Sequence, residues 1–171
     1  MHWFNKKMLT GLGSSTLQAL QGLQVGGHWA LVGRQGEFAA GNGAAMRIAP
    51  LAFIEKIDRT TIRDVCRITH KNDEAYCGAL IIYYAVNWSF LKKDSLKNLV
   101  KKIPDEIPDT LVKDRLLHIT EYQNLSIYEL GKKFKPTGHV VDSVPFAVFA
   151  AQKIENQSIK SIFAEIIKCG G

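Results

Sequence analysis

The stretch "DEAYCGALIIYYAVNWSFL", residues 73–91, constrains the fold more than any other part of this chain. Drawn on a helical wheel it is apolar almost all round, and such a helix must be enclosed by other elements. No stretch of the chain approaches the roughly 18–20 apolar residues of a membrane helix. The run is therefore read as a central buried helix, and the rest of the chain has to supply the layers around it.

Those layers also read as helical. "TTIRDVCRIT" (60–69) sets Ile62, Val65 and Ile68 at helical steps, with Thr60 or Thr61 as cap. Further helices are expected after "GLGSST" through Leu17, Leu20 and Leu23, and from Asn42 to about Lys56. Asp94 is placed to cap "SLKNLVKKI", and "TLVKDRLLHITEY" follows a loop at 104–109. Ser126 and Glu129 have the spacing of a capping box. Residues 139–153 and 158–168 give the last two helices, the second closing at Gly170-Gly171. There is no alternating strand pattern, repeat or low-complexity segment. With 171 residues, the expectation is one all-α domain.

Charge narrows the partners. The net charge is +6, and the lysines fall in scattered pairs (Lys92-Lys93, Lys101-Lys102, Lys132-Lys133) diluted by acids. That pattern fits solvated helix faces and argues against a nucleic-acid surface, which concentrates its charge. Cys66, Cys77 and Cys169 are odd in number and without a C-x-x-C, which points to buried, reduced thiols in a cytoplasmic protein. The start, "MHWFNKKMLTG", has no apolar run after its lysines, so no signal peptide is expected.

Two glycine-bearing loops precede helices. In "GLGSST", Gly11 and Gly13 permit close backbone approach, and Ser14, Ser15 and Thr16 add hydroxyls beside the free N–H groups of a first helical turn. Those parts favour an anion, typically a phosphate; the same residues also read as a plain Ser/Thr cap. In "AAGNGAA", Gly41 and Gly43 strip side-chain bulk from both sides of Asn42, so a ligand can lie on the backbone and bond to the amide. The alternative is an Asn cap between glycines. His70, at the end of "RITH", reads either as a ligand contact or as a cation at a helix C-terminus. The sixteen carboxylates include no Asp-Asp and no Asp-x-Asp, and the other histidines show no metal-ligand spacing.

In order along the chain, "GLGSSTLQAL", "GEFAAGNGAAMRIAPLAF", "RITH", "EAYCGALIIYYAV", "TGHVVDSVPFAVFAA" and "IIKCGG" resemble the ADP-ribosylglycohydrolase family, specifically the dinitrogenase-reductase-activating type. The resemblance implies an all-α, orthogonal helical globule whose cleft holds two divalent cations, magnesium or manganese. It implies hydrolysis of the glycosidic bond between ADP-ribose and a modified side chain. On this chain it assigns Gly11, Gly13, Ser14 and Ser15 to the diphosphate. It assigns Ala39, Ala40, Gly41, Asn42 and Gly43 to the distal ribose, and His70 to the ribose-phosphate side.

The family's metal-binding carboxylates lie in an N-terminal Gly-Asp, a Thr/Ser-Asp-Asp and a C-terminal Gly-Gly-Asp-x-Asp-Thr, and this sequence has no counterpart of them. Residues 1–171 are therefore expected to form a single partial domain truncated at both ends, with no catalytic or metal residues of its own. Three readings follow: an ADP-ribosylglycohydrolase relative that has lost activity, a non-catalytic ADP-ribose-binding module, or a subunit whose site another chain completes. Its partners would be ADP-ribose or an ADP-ribosylated protein. Apolar surface bared by the missing helices would favour a homo-oligomer.

Overall fold

A computed structural model of the chain describes residues 1–91, 95 and 98–170. Those residues form eleven α-helices and one minimal parallel sheet. The helices are α1 (His2–Asn5), α2 (Ser14–Gln24), α3 (Trp29–Val32), α4 (Gly43–Ile48), α5 (Arg59–Arg67) and α6 (Asp73–Phe90) in the first half. The second half holds α7 (Leu99–Lys102), α8 (Leu111–Ile119), α9 (Ile127–Phe134), α10 (Val140–Gln152) and α11 (Ile159–Lys168). The strands are β1 (Arg34–Gln35) and β2 (His70–Lys71), with Arg34 opposite His70 and Gln35 opposite Lys71. Two residues per strand are too few to show alternation, so the sequence pattern gave no sign of them.

Helix α6 is the axis of the fold. Asn72 Oδ1 accepts from Ala75 N–H at 3.0 Å and starts it, with Asp73 and Glu74 in the first turn, where the helix dipole favours acids. Ala75, Cys77, Gly78, Ala79, Leu80 and Ile81 are buried, packed among α4, α5, α8 and α10. A Cβ on Gly78 would stand 2.2 Å from Val140 Cγ2, so the close crossing of α6 and α10 requires glycine there. The carboxylate of Glu74 accepts from the Leu111 and Val112 N–H groups, each at 2.9 Å, and so caps α8 from a distance. The second half of α6 departs from the expectation of full burial: after Tyr83 it is half-buried against the core, and Phe90 at its end is 58% exposed.

Other boundaries also moved. Asp58, not Thr60 or Thr61, caps α5, its Oδ1 accepting from Thr61 N–H at 2.7 Å. A carboxylate one residue before the helix already satisfies the donor that a threonine would have served. Helix α4 ends at Ile48 and not near Lys56, because Pro50 has no N–H to continue the ladder and the chain tightens into a 3-10 turn, Ala49–Phe53. The loop expected at 104–109 opens with another such turn, Ile103–Glu106. The capping box forms, with Ser126 N–H donating to Glu129 Oε2 at 2.8 Å and Glu129 N–H to Ser126 Oγ at 3.2 Å. Asp94, the Lys92-Lys93 pair and Gly171 lie outside the described residues. Among the described residues no helix is long and apolar enough to cross a membrane.

Leu80 is fully buried, so Leu80→Ala should lower unfolding stability by about 2–5 kcal/mol in a urea titration. A loss well under 1 kcal/mol would mean that α6 is not the core.

Candidate ligand-binding cleft

The wall loop is laid across the start of α10 by backbone bonds. Gly41 bridges His139, the Asn42 N–H donates to the Gly138 carbonyl at 3.1 Å, and the Val140 N–H donates to the Ala40 carbonyl at 2.9 Å. The Asn42 side chain does not cap α4; its Nδ2 donates to Ser143 Oγ at 3.1 Å. That leaves Oδ1 as its uncommitted acceptor among the described residues.

Helix α2 starts at Ser14, inside the segment that reads as a loop, with extended Gly13 as a cap that has no side chain. The first intrahelical donor is Leu17, to the Gly13 carbonyl at 2.9 Å. The N–H groups of Ser14, Ser15 and Thr16 therefore have no acceptor within the helix, and they sit at its positive end. Gly11 has φ +67°, a left-handed turn that glycine takes without strain. Ser14 Oγ accepts from Arg34 Nη1 at 2.6 Å, and the Arg34 guanidinium lies 5.5 Å from the Phe38 ring centre.

His70 sits between these two elements. It belongs to β2 and is only 3% exposed, so it is not the exposed helix-end cation that was the alternative reading. A Cβ on Gly43 would stand 3.0 Å from its Cε1, and one on Gly41 would stand 3.3 Å from its Nε2. The bare backbone of Gly41 and Gly43 thus makes room for this imidazole first. Nδ1 lies 2.6 Å from Thr69 Oγ1. Burial, helped by the nearby Arg47 and Arg34 charges, pushes the His70 pKa down to about 4, so the ring is neutral at pH 7.

Arg47 locks this arrangement. Nη1 donates to the Gly43 carbonyl at 3.0 Å, and Nη2 to the Val65 and Cys66 carbonyls at 3.0 and 3.2 Å. The last two belong to the final turn of α5, where the Cys66 carbonyl also accepts from the Thr69 N–H at 3.2 Å. Burial lowers the arginine's pKa, but no cause so modest neutralises a guanidinium. Burial also pushes the neighbouring Cys66 thiol up to about 12, so it stays protonated.

Together these parts line a cleft of about 720 Å³. Gly11, Gly13, Ser14, Ser15, Gly41, Asn42, Gly43 and His70 all border it. Ala39 and Ala40 do not: they are buried behind the wall, at 0% and 4% exposure. The cleft also takes in Phe38, Met46, Arg47 and Thr69, and its lining includes no carboxylate. Over residues 1–171 the chain matches the ADP-ribosylglycohydrolase family profile.

The chain belongs to the ADP-ribosylglycohydrolase family. It is 25% identical over 172 residues to an uncharacterized protein of Archaeoglobus fulgidus, in an alignment that covers 95% of this chain and 55% of that relative. The chain thus spans about half the length of the curated relative it matches. No solved structure matches it.

For an ADP-ribosylglycohydrolase, the donor set of this cleft is one-sided. Backbone amides, hydroxyls, a neutral imidazole and a guanidinium suit an anion, whereas a divalent cation such as magnesium is bound through oxygen ligands that usually include one or two carboxylates. Among the described residues no group of three or more His, Cys, Asp or Glu side chains comes together to hold a metal ion. These residues do not fit a divalent cation. Phe38, Met46, Arg47 and Thr69 line the cleft and were missed by sequence reasoning, as was Arg34, which reaches it only through the Ser14 hydroxyl. Only Arg47 carried a signal, as a cation inside an otherwise apolar helical pattern.

The His70 shift makes a signed prediction. The unfolded chain binds the proton near pH 6.5 and the folded one only near 4, so stability is complete above about 6.5 and falls as pH drops through 4. The contribution is on the order of 3 kcal/mol. Denaturation between pH 4.5 and 7 should show this slope, and His70→Gln should flatten it; an unchanged slope would mean that His70 titrates normally.

Proposed function

We propose that this chain is the ADP-ribose-recognition part of an ADP-ribosylglycohydrolase of the dinitrogenase-reductase-activating type, and that alone it binds ADP-ribose, free or on a modified protein, without hydrolysing the glycosidic bond. The observation that carries this reading is the juxtaposition of the α2 N-terminus with the glycine wall in a cleft free of lining carboxylates. A diphosphate meets three N–H groups at 14–16, the Ser14 hydroxyl and the charges of Arg34 and Arg47. The distal ribose lies along Gly41 and Gly43, where an added side chain would fill the space, and one of its hydroxyls donates to Asn42 Oδ1. The exposed faces of Phe38 and Met46, 79% and 77% accessible, offer apolar contact for a flat base.

Asn42→Ala should weaken ADP-ribose binding roughly tenfold, the value of one hydrogen bond to a buried hydroxyl, while costing about 1 kcal/mol of stability through Ser143. Calorimetry and thermal unfolding on the same variant separate the two effects. If Asn42→Ala unfolds the protein, its role is structural.

A second reading rests on the relative's greater length: carboxylates from another polypeptide complete the site. A thermal-shift titration with ADP-ribose, with and without magnesium, decides between them. A shift that ignores magnesium supports the recognition module, one that requires magnesium supports the completed site, and no shift at millimolar ligand overturns both.

A further inference from the structure

A second pocket of about 260 Å³ opens between α5 and the start of α6, lined by Arg63, Arg67, Lys71, Asn72, Asp73 and Tyr76. Its charge is unlike that of an ordinary helix face. Arg63 and Arg67 stand one turn apart on α5, an arrangement of like charges that works against a helix. Arg59, one turn earlier on the same face, is tied down: it donates to the Tyr84 hydroxyl and the Glu106 carbonyl and pairs with the Glu106 carboxylate at 3.5 Å. Arg63 and Arg67 have no such carboxylate partner among the described residues. Lys71 spends one donor on a neutral acceptor, the Leu31 carbonyl at 3.3 Å, which leaves its charge uncompensated. The N-terminus of the eighteen-residue α6 adds its positive end at Asp73. Two guanidiniums and an ammonium thus face a cavity whose lining holds one carboxylate, Asp73.

We infer that this pocket is a second anion site, independent of the cleft, which takes a single phosphate dianion, either inorganic phosphate or a phosphate monoester. Size excludes the larger ligand: the volume suits one phosphate group and its water, about a third of the cleft that would take ADP-ribose. The guanidinium pair supplies planar forks that match phosphate oxygens, and Lys71 supplies a point charge. The Asn72 side chain connects the two sites physically. Its Nδ2 donates to the Gly36 carbonyl at 3.2 Å, at the base of the turn that carries Phe38.

The test is an amide-resolved NMR titration of the full chain at pH 7.5 and constant ionic strength, with inorganic phosphate in one arm and O-phosphoserine in the other. The expected result is saturable shifts at Lys71, Asn72 and Asp73, weakened at least tenfold in Arg63→Gln/Arg67→Gln. The stronger-binding arm identifies the source of the phosphate. Shifts confined to 13–16, or shifts at 71–73 that survive in the double variant, overturn the proposal. Adding ADP-ribose to the same sample reports on the cleft separately, because failure there leaves the signals of 71–73 untouched. Should the double variant not fold, Lys71→Gln is measured in its place, with the same loss at 71–73 expected.

Discussion

The guanidinium of Arg47 joins the start of one helix to the end of another. It bonds the Gly43 carbonyl at the start of α4 and the Val65 and Cys66 carbonyls at the end of α5. Hydrogen bonds from a charged donor are stronger than neutral ones, so this one side chain ties two segments together firmly. The same charge helps to keep His70 neutral, and a neutral imidazole is what can be buried against Gly41 and Gly43. Through these bonds the start of α4, with Gly43, is held against the end of α5.

The cleft gains its character from what surrounds it as much as from what lines it. Arg34 belongs to β1, pairs in register with His70 and reaches Ser14, so a two-residue sheet links three parts of the site. The alternation of a strand turns His70 and Lys71 to opposite faces. One contributes to the cleft and the other to the basic pocket between α5 and α6. Short as it is, β2 sets the partition between the two positively charged cavities.

Much of the scaffold was legible in the sequence because its signals are local. The apolar run at 73–91 marked α6, and the spacing of Ser126 and Glu129 marked the start of α9. Errors arose where a non-local partner or a competing local donor decided the outcome. For Asn42 the cap was one of two open readings, and Ser143, a hundred residues away, takes its amide instead. Glu74 looked like a helix start and is also the cap of α8. The glycines at 41 and 43 read as bare surface for a ligand, and the fold adds that a side chain on either would meet the ring of His70. The resemblance grouped Ala39 and Ala40 with them, and both are buried in the core.

By itself the sequence determined an all-α protein, its central helix, the glycine-bearing loops and an ordered set of motifs that resembles a known family. Helical periodicity, turn chemistry and capping act within a few residues, so they can be read along the chain. Only the tertiary structure decided that the two loops face one another, that His70 is neutral, that Arg47 holds the joint, and that Arg63, Arg67 and Lys71 meet in one pocket. Those outcomes depend on burial and on distances between residues far apart in the chain, and local spacing does not encode them.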